Sequence, residues 1–149
     1  MPRDESGHLI YMKRAIELAR MALAQGESPV GSLLVRNHEI LGEGVEGVKT
    51  GKDIAAHAEM IAIRWACRAL QSLDLRGCAL YTTAEPCFMC SYAIRQTRIS
   101  EVVLGRPNRE VGGISSLHPI LSDSRISCWT QPPHIVWGVL ALECEDLYS

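Results

Sequence analysis

The sequence contains no apolar run approaching the roughly 20 residues needed to span a bilayer. Its first seven residues, Met1 to Gly7, are polar and charged and lack the apolar stretch of a signal peptide. A membrane segment is therefore not expected, and a cytoplasmic location is. Charge of one sign is also missing: the formal net charge of the 149 residues is −2, which argues against a protein that grips long stretches of nucleic acid through its phosphates. Aromatic residues are scarce at 5%, with a single phenylalanine. There are no internal repeats, low-complexity tracts or linkers, so one domain spanning residues 1–149 is expected. Hydrophobic residues at 47% and charged residues at 21% are ordinary globular values and exclude a disordered chain.

Periodicity gives the elements. Leu9, Met12, Ile16, Ala19 and Leu23 recur at spacings of three and four and predict a helix over 8–25, ended by Gly26 and Pro29. Two short apolar runs, Val30–Val35 and Ile40–Val45, meet around Asn37 and His38 and read as a β-hairpin. Ile54 to Leu70 reads as a helix, Cys78–Thr82 as a strand, Cys87–Gln96 as a helix and Ile99–Leu104 as a strand. A last strand over Ile135–Trp137 and a short helix over Leu140–Leu147 follow the Gly-, Pro- and Ser-rich segment 105–133, which yields no clear element. This order predicts helices packed on a mixed sheet, antiparallel in the first hairpin and parallel where strands alternate with helices.

Six cysteines in a chain expected to stay in a reducing compartment point to metal chemistry more than to disulfides. Cys87 and Cys90 stand three apart at a predicted helix start, so both sulfurs face one side, and the positive end of the helix dipole favours thiolate. His57, at another helix start, makes a third ligand. No second C-x-x-C or C-x-x-H pair is present to close a four-ligand structural site. Three ligands leave one tetrahedral position for water, the arrangement of a catalytic zinc centre with one ion per chain. Such a centre lowers the pKa of water from 15.7 towards about 7. Glu59, two residues from His57, is the candidate proton carrier, to be sheltered so that its pKa rises towards the working pH. Cys67, Cys78, Cys128 and Cys144 read as core or surface cysteines, and His8, His38, His118 and His134 as surface or locally bonded residues. Trp65, Trp129 and Trp137 are expected in the core, the last two being nearer a potential pocket. Arg106, Asn108 and Arg109 belong to a loop able to cover the site.

His57-Ala58-Glu59 and Pro86-Cys87-Phe88-Met89-Cys90 together spell H-x-E…P-C-x-x-C, the signature of zinc nucleobase deaminases. With Ser28-Pro29-Val30-Gly31, Leu41-Gly42-Glu43-Gly44, Tyr81 to Cys87, Ile99–Gly105 and Gly138-Val139-Leu140, the sequence resembles the cytidine deaminase superfamily over nearly its whole length. Within it, the branch of tRNA-specific adenosine deaminases, guanine deaminases and stand-alone cytosine deaminases is the most similar. The resemblance implies a three-layer α/β/α sandwich around a mixed five-stranded sheet, zinc, and commonly a homodimer. It also implies that the Ala58 amide contacts the substrate, that the Glu85–Pro86 region receives the exocyclic amine, and that Val30 lines the pocket. Glu46 stands where many of these enzymes have an asparagine that hydrogen-bonds the base. An ionised glutamate only accepts hydrogen bonds, which favours a ring offering an N–H or NH₂. That preference, the slight negative charge and a final stretch, Glu143–Ser149, without basic residues favour a small amino-substituted heterocycle such as guanine, a pyrimidine or a triazine. Adenosine in tRNA is the alternative substrate, and a non-catalytic zinc-bearing subunit is the alternative of a different class.

Overall fold

Asn37 and His38 both adopt positive φ, 51° and 63°, and make the two-residue turn between β1 (Gly31–Arg36) and antiparallel β2 (Glu39–Val45) in the computed structural model, which describes residues 5–149. Two successive left-handed residues give the turn a twist that matches the strands it joins. β1 also pairs antiparallel with β3 (Ala79–Ala84). β3 runs parallel to β4 (Glu101–Arg106), and β4 to β5 (His134–Val136), giving the order β2-β1-β3-β4-β5.

Helices cover both faces. On one lie α1 (Glu5–Ala24) and the short α5 (Ala141–Asp146), against Leu33, Val35, Tyr81 and Val103. On the other lie α3 (Ala58–Leu70) and α4 (Phe88–Thr97), against Leu34, Leu80, Val102 and Leu104. Alternate residues of each strand thus feed two separate cores, as the period of two requires. The result is the three-layer α/β/α sandwich on a mixed five-stranded sheet that the sequence led us to expect.

The differences from the sequence reading have local causes. α1 buries Met12, Ala15, Ile16, Ala19 and Ala22, whereas Leu9 and Leu23, at the edges of the apolar stripe, are largely exposed. The third helix does not begin at Ile54: a one-turn helix α2 (Val48–Gly51) and a turn occupy that stretch, and Ile54 is 81% exposed. Trp65 and Trp137 are exposed and Trp129 is half-buried, so none fills the core. Glycine sets the position of α3. A side chain on Gly44 of β2 would collide with the Ala58 carbonyl, so the start of α3 lies directly against the sheet.

Candidate metal centre and pocket

His57 is the residue that opens α3 and Cys87 the one that opens α4, both in extended backbone conformation. Cys90 lies in the first turn of α4. His57 Nδ1 is 3.5 Å from the sulfur of Cys87 and 3.5 Å from that of Cys90, and the three donor atoms all lie within 4.8 Å of one another. Bonds of about 2.3 Å to sulfur and 2.0–2.1 Å to nitrogen at tetrahedral angles require a nitrogen–sulfur separation of about 3.5 Å. The residues therefore fit zinc. The Cys90 thiol, and then His57, hold Cys87 down at about 4, while the hydrogen bond with Cys87 and burial push the Cys90 thiol far up. A cation between the two sulfurs would favour the thiolate form of both.

Glu59 is buried at 4% exposure in the first turn of α3. Burial, with the nearby charges of Glu46 and Cys87, raises its carboxyl to about 7. A dication beside it would draw that value down again. Its Oε1 lies 3.4 Å from the Ser32 hydroxyl, which lies 2.9 Å from Thr82 Oγ1, its cross-strand neighbour. Sequence reasoning missed this polar pair. The available signal was a serine inside the otherwise apolar run of β1.

Above these groups is a cavity of about 560 Å³, whose lining includes Val30, Glu46, His57, Glu59, Glu85 and Cys87. Arg106, Asn108 and Arg109 line it as well, so the loop singled out in the sequence does border the site. Two groups expected to contact the substrate also have partners within the protein. The Ala58 amide donates to Glu46 Oε1 at 2.8 Å, so it is already engaged within the protein. The Glu85 carboxylate is turned into the loop, accepting from the amides of Asn108 (3.0 Å), Ile114 (2.9 Å) and Ser115 (2.8 Å) and from the Ser115 hydroxyl (2.6 Å). Pro86 is buried, and its carbonyl accepts the Gly113 amide at 2.8 Å. Trp129 and Trp137 do not line the cavity.

Three charged side chains hold irregular backbone around the pocket. Glu27, 3% exposed, accepts from the amides of Lys49 and Thr50 and ties down the stretch between β2 and His57. Glu85 holds residues 108–115. Arg95 of α4, also 3% exposed, donates to the carbonyls of Ile120, Asp123 and Thr130. The 105–133 segment is thus fixed by ionic hydrogen bonds to its main chain, a substitute for helix or strand ladders.

Comparison with known proteins agrees with this geometry. The family model of the cytidine and deoxycytidylate deaminase zinc-binding region matches residues 5–106. A tRNA-specific adenosine deaminase of Aquifex aeolicus (strain VF5) is 40% identical over 121 residues, covering 81% of this chain and 80% of the relative. A structure from studies of A-to-I editing by tRNA:A34 deaminases superposes with a TM-score of 0.85 at 31% identity, over 92% of this chain and 97% of the other. The guanine deaminase of Bacillus subtilis gives a TM-score of 0.64 at 39% identity, over 66% of this chain and 63% of the other. The chain therefore belongs to the cytidine and deoxycytidylate deaminase zinc-binding family, whose members use zinc to remove an amine by hydrolysis.

Proposed function

We propose that the chain converts adenosine to inosine in tRNA, releasing ammonia. The observation that carries this reading is the extent of similarity to tRNA-acting relatives, 31% identity and a TM-score of 0.85 over 92% of the chain. That is a better superposition than the TM-score of 0.64 given by the Bacillus subtilis guanine deaminase.

In this reading His57, Cys87 and Cys90 hold zinc, which when bound makes a water sufficiently acidic to attack at neutral pH. Glu59 takes one proton from the attacking water and passes it to the ring nitrogen, then takes the remaining proton from the hydroxyl added to the ring and delivers it to the departing amine, leaving a ring carbonyl and ammonia. Val30 packs against the ring. With the Glu85 carboxylate occupied, its main-chain carbonyl is the group there available to the leaving amine. Glu27 and Glu85 keep the two flanking loops from collapsing into the cavity. With tRNA as substrate, the proposed location is the cytoplasm. No helix among the described residues is long and apolar enough to cross a membrane. An apolar groove between α3 and α4, lined by Met60, Ile63, Met89 and Tyr92, supports a homodimer.

One observation favours a second reading, a free guanine-like base. Glu46 is 8% exposed and lines the cavity, and among the described residues nothing donates to its second oxygen. A carboxylate there suits a ring edge carrying donors. The two readings separate in one experiment. Purified protein is incubated with an anticodon stem-loop bearing adenosine at the wobble position and, in parallel, with guanine. Inosine in the digested RNA supports the first reading; ammonia from guanine alone overturns it.

A further inference from the structure

The mouth of the cavity is built differently from its floor. Arg106, the last residue of β4, lies with its guanidinium carbon 3.8 Å from the centre of the Tyr148 ring, and its Nε donates to Glu145 Oε1 at 3.2 Å. All three residues border the same cavity as His57 and Glu59. The parallel register sets Arg106 beside Ala84, one residue before Glu85, so the cluster stands on the rim of the reaction site. Packing fixes it there. Cys144 of α5 and the adjoining Leu147 are buried in the core that contains Val103, and a side chain on Gly105 would collide with the Cys144 sulfur.

Charge at this rim is mixed and does not gather into a phosphate clamp. The Arg106 guanidinium is engaged by Glu145, Arg109 and Glu110 both border the cavity, and α5 carries Glu143 and Asp146 besides. What the rim offers is planarity: a guanidinium over the ring of Tyr148, a residue 44% exposed. Flat, charge-compensated surfaces of this kind bind the faces of rings, and they do so with little regard to which base is presented. The cavity volume of 560 Å³ falls in the range of drug-sized ligands and exceeds what a single base at the metal end fills.

We propose that the Arg106–Tyr148 pair is a stacking subsite for the nucleobase next to the one deaminated. The inference rests on the reading of the substrate as RNA. Glu145 acts on this subsite indirectly, by fixing the plane of the guanidinium.

The test uses the full chain with a wobble-adenosine stem-loop, in which the nucleotide on the 5′ or the 3′ side is replaced by an abasic residue. In the wild type, one of the two replacements raises KM about ten-fold or more, the usual effect of losing a stacked base. Tyr148→Ala raises KM for the intact RNA by a similar factor and is then indifferent to the abasic replacement. Tyr148→Phe, which keeps the ring, behaves as the wild type. Should Tyr148→Ala fail to fold, Arg106→Leu removes the other half of the platform and is read in the same way. An abasic penalty that is the same in wild type and variant overturns the subsite, as does a wild type indifferent to both replacements. A wild type that forms no inosine in the intact stem-loop overturns the RNA reading itself.

Discussion

Glu46 Oε1 accepts the amide hydrogen of Ala58 at 2.8 Å, which ties the end of β2 to the first turn of the helix that carries Glu59. The bond occupies a donor that the family resemblance assigns to the substrate. It also fixes which Glu46 oxygen serves the protein, leaving the other for the cavity. Burial raises the Glu46 pKa above the ordinary carboxylate value, and the Ala58 amide partly offsets that rise. Glu46 therefore combines a structural bond with a position on the pocket wall.

Replacing it separates the two roles. Glu46→Gln keeps an acceptor for Ala58 and turns the second oxygen into a donor. Turnover of adenosine should improve relative to guanine by one to two orders of magnitude, since hydrogen bonds to charged groups contribute about 1.5–3 kcal/mol. Glu46→Ala should instead strand the Ala58 amide and cost about 1–3 kcal/mol of stability, read from urea unfolding. An unchanged adenosine-to-guanine ratio in Glu46→Gln means that the side chain does not address the ring.

Glu59→Gln preserves the shape of a fully enclosed side chain and removes its proton. Zinc content should be unchanged while turnover falls by roughly 10²–10⁴-fold, the usual contribution of a positioned acid–base group. Rapid-quench measurement of a single turnover is the appropriate check, because it excludes product release. Near-normal chemistry in this variant would move the proton-carrying role elsewhere.

The donor geometry predicts about one zinc per chain, bound by two sulfurs and one nitrogen from the protein. X-ray absorption should resolve sulfur at about 2.3 Å and nitrogen at about 2.0–2.1 Å. Cys87→Ser and His57→Ala should each lose metal and activity together. Dialysis against a chelator should abolish activity, and added zinc should restore it. Full activity in a sample shown to be free of metal would contradict the assignment.

How much of this was legible in the sequence depended on where each residue's partners lie. His57, Cys87 and Cys90 were readable because metal-binding side chains with local spacing at helix starts leave few alternatives, and Glu59 because it stands two residues from a ligand. The hairpin was readable from two apolar runs and an intervening turn. Glu27, Glu85 and Arg95 were not readable in their observed roles, because each binds main-chain groups 22 to 35 positions away, which leaves no pattern in composition. Ile54 and Trp65 misled for a related reason. Apolar character predicts burial only when another surface covers the residue: Ile54 is 81% exposed, and over the Trp65 ring, among the described residues, lies only the Arg68 guanidinium, 5.2 Å from its centre.

The loop around the pocket gives the last prediction. Glu85 receives four hydrogen bonds from Asn108, Ile114 and Ser115, and a methyl group on Gly112 would collide with its carboxylate. Glu85→Ala leaves three amides and a hydroxyl without their acceptor. Each stranded buried group costs about 1–3 kcal/mol, but water entering the loosened loop recovers part of this, so a loss of about 3 kcal/mol is expected. Gly112→Ala keeps the carboxylate but drives a methyl group into both it and the Asn108 main-chain carbonyl, and overpacking of this kind costs about 1–3 kcal/mol. Because residues 108–111 border the cavity, Gly112→Ala should also raise KM more than it lowers kcat, with zinc content intact. Urea unfolding and steady-state kinetics on the same preparation give both quantities. A Gly112→Ala enzyme with unchanged stability and unchanged KM would show that Gly112 is not packed against Glu85 and Asn108 in solution.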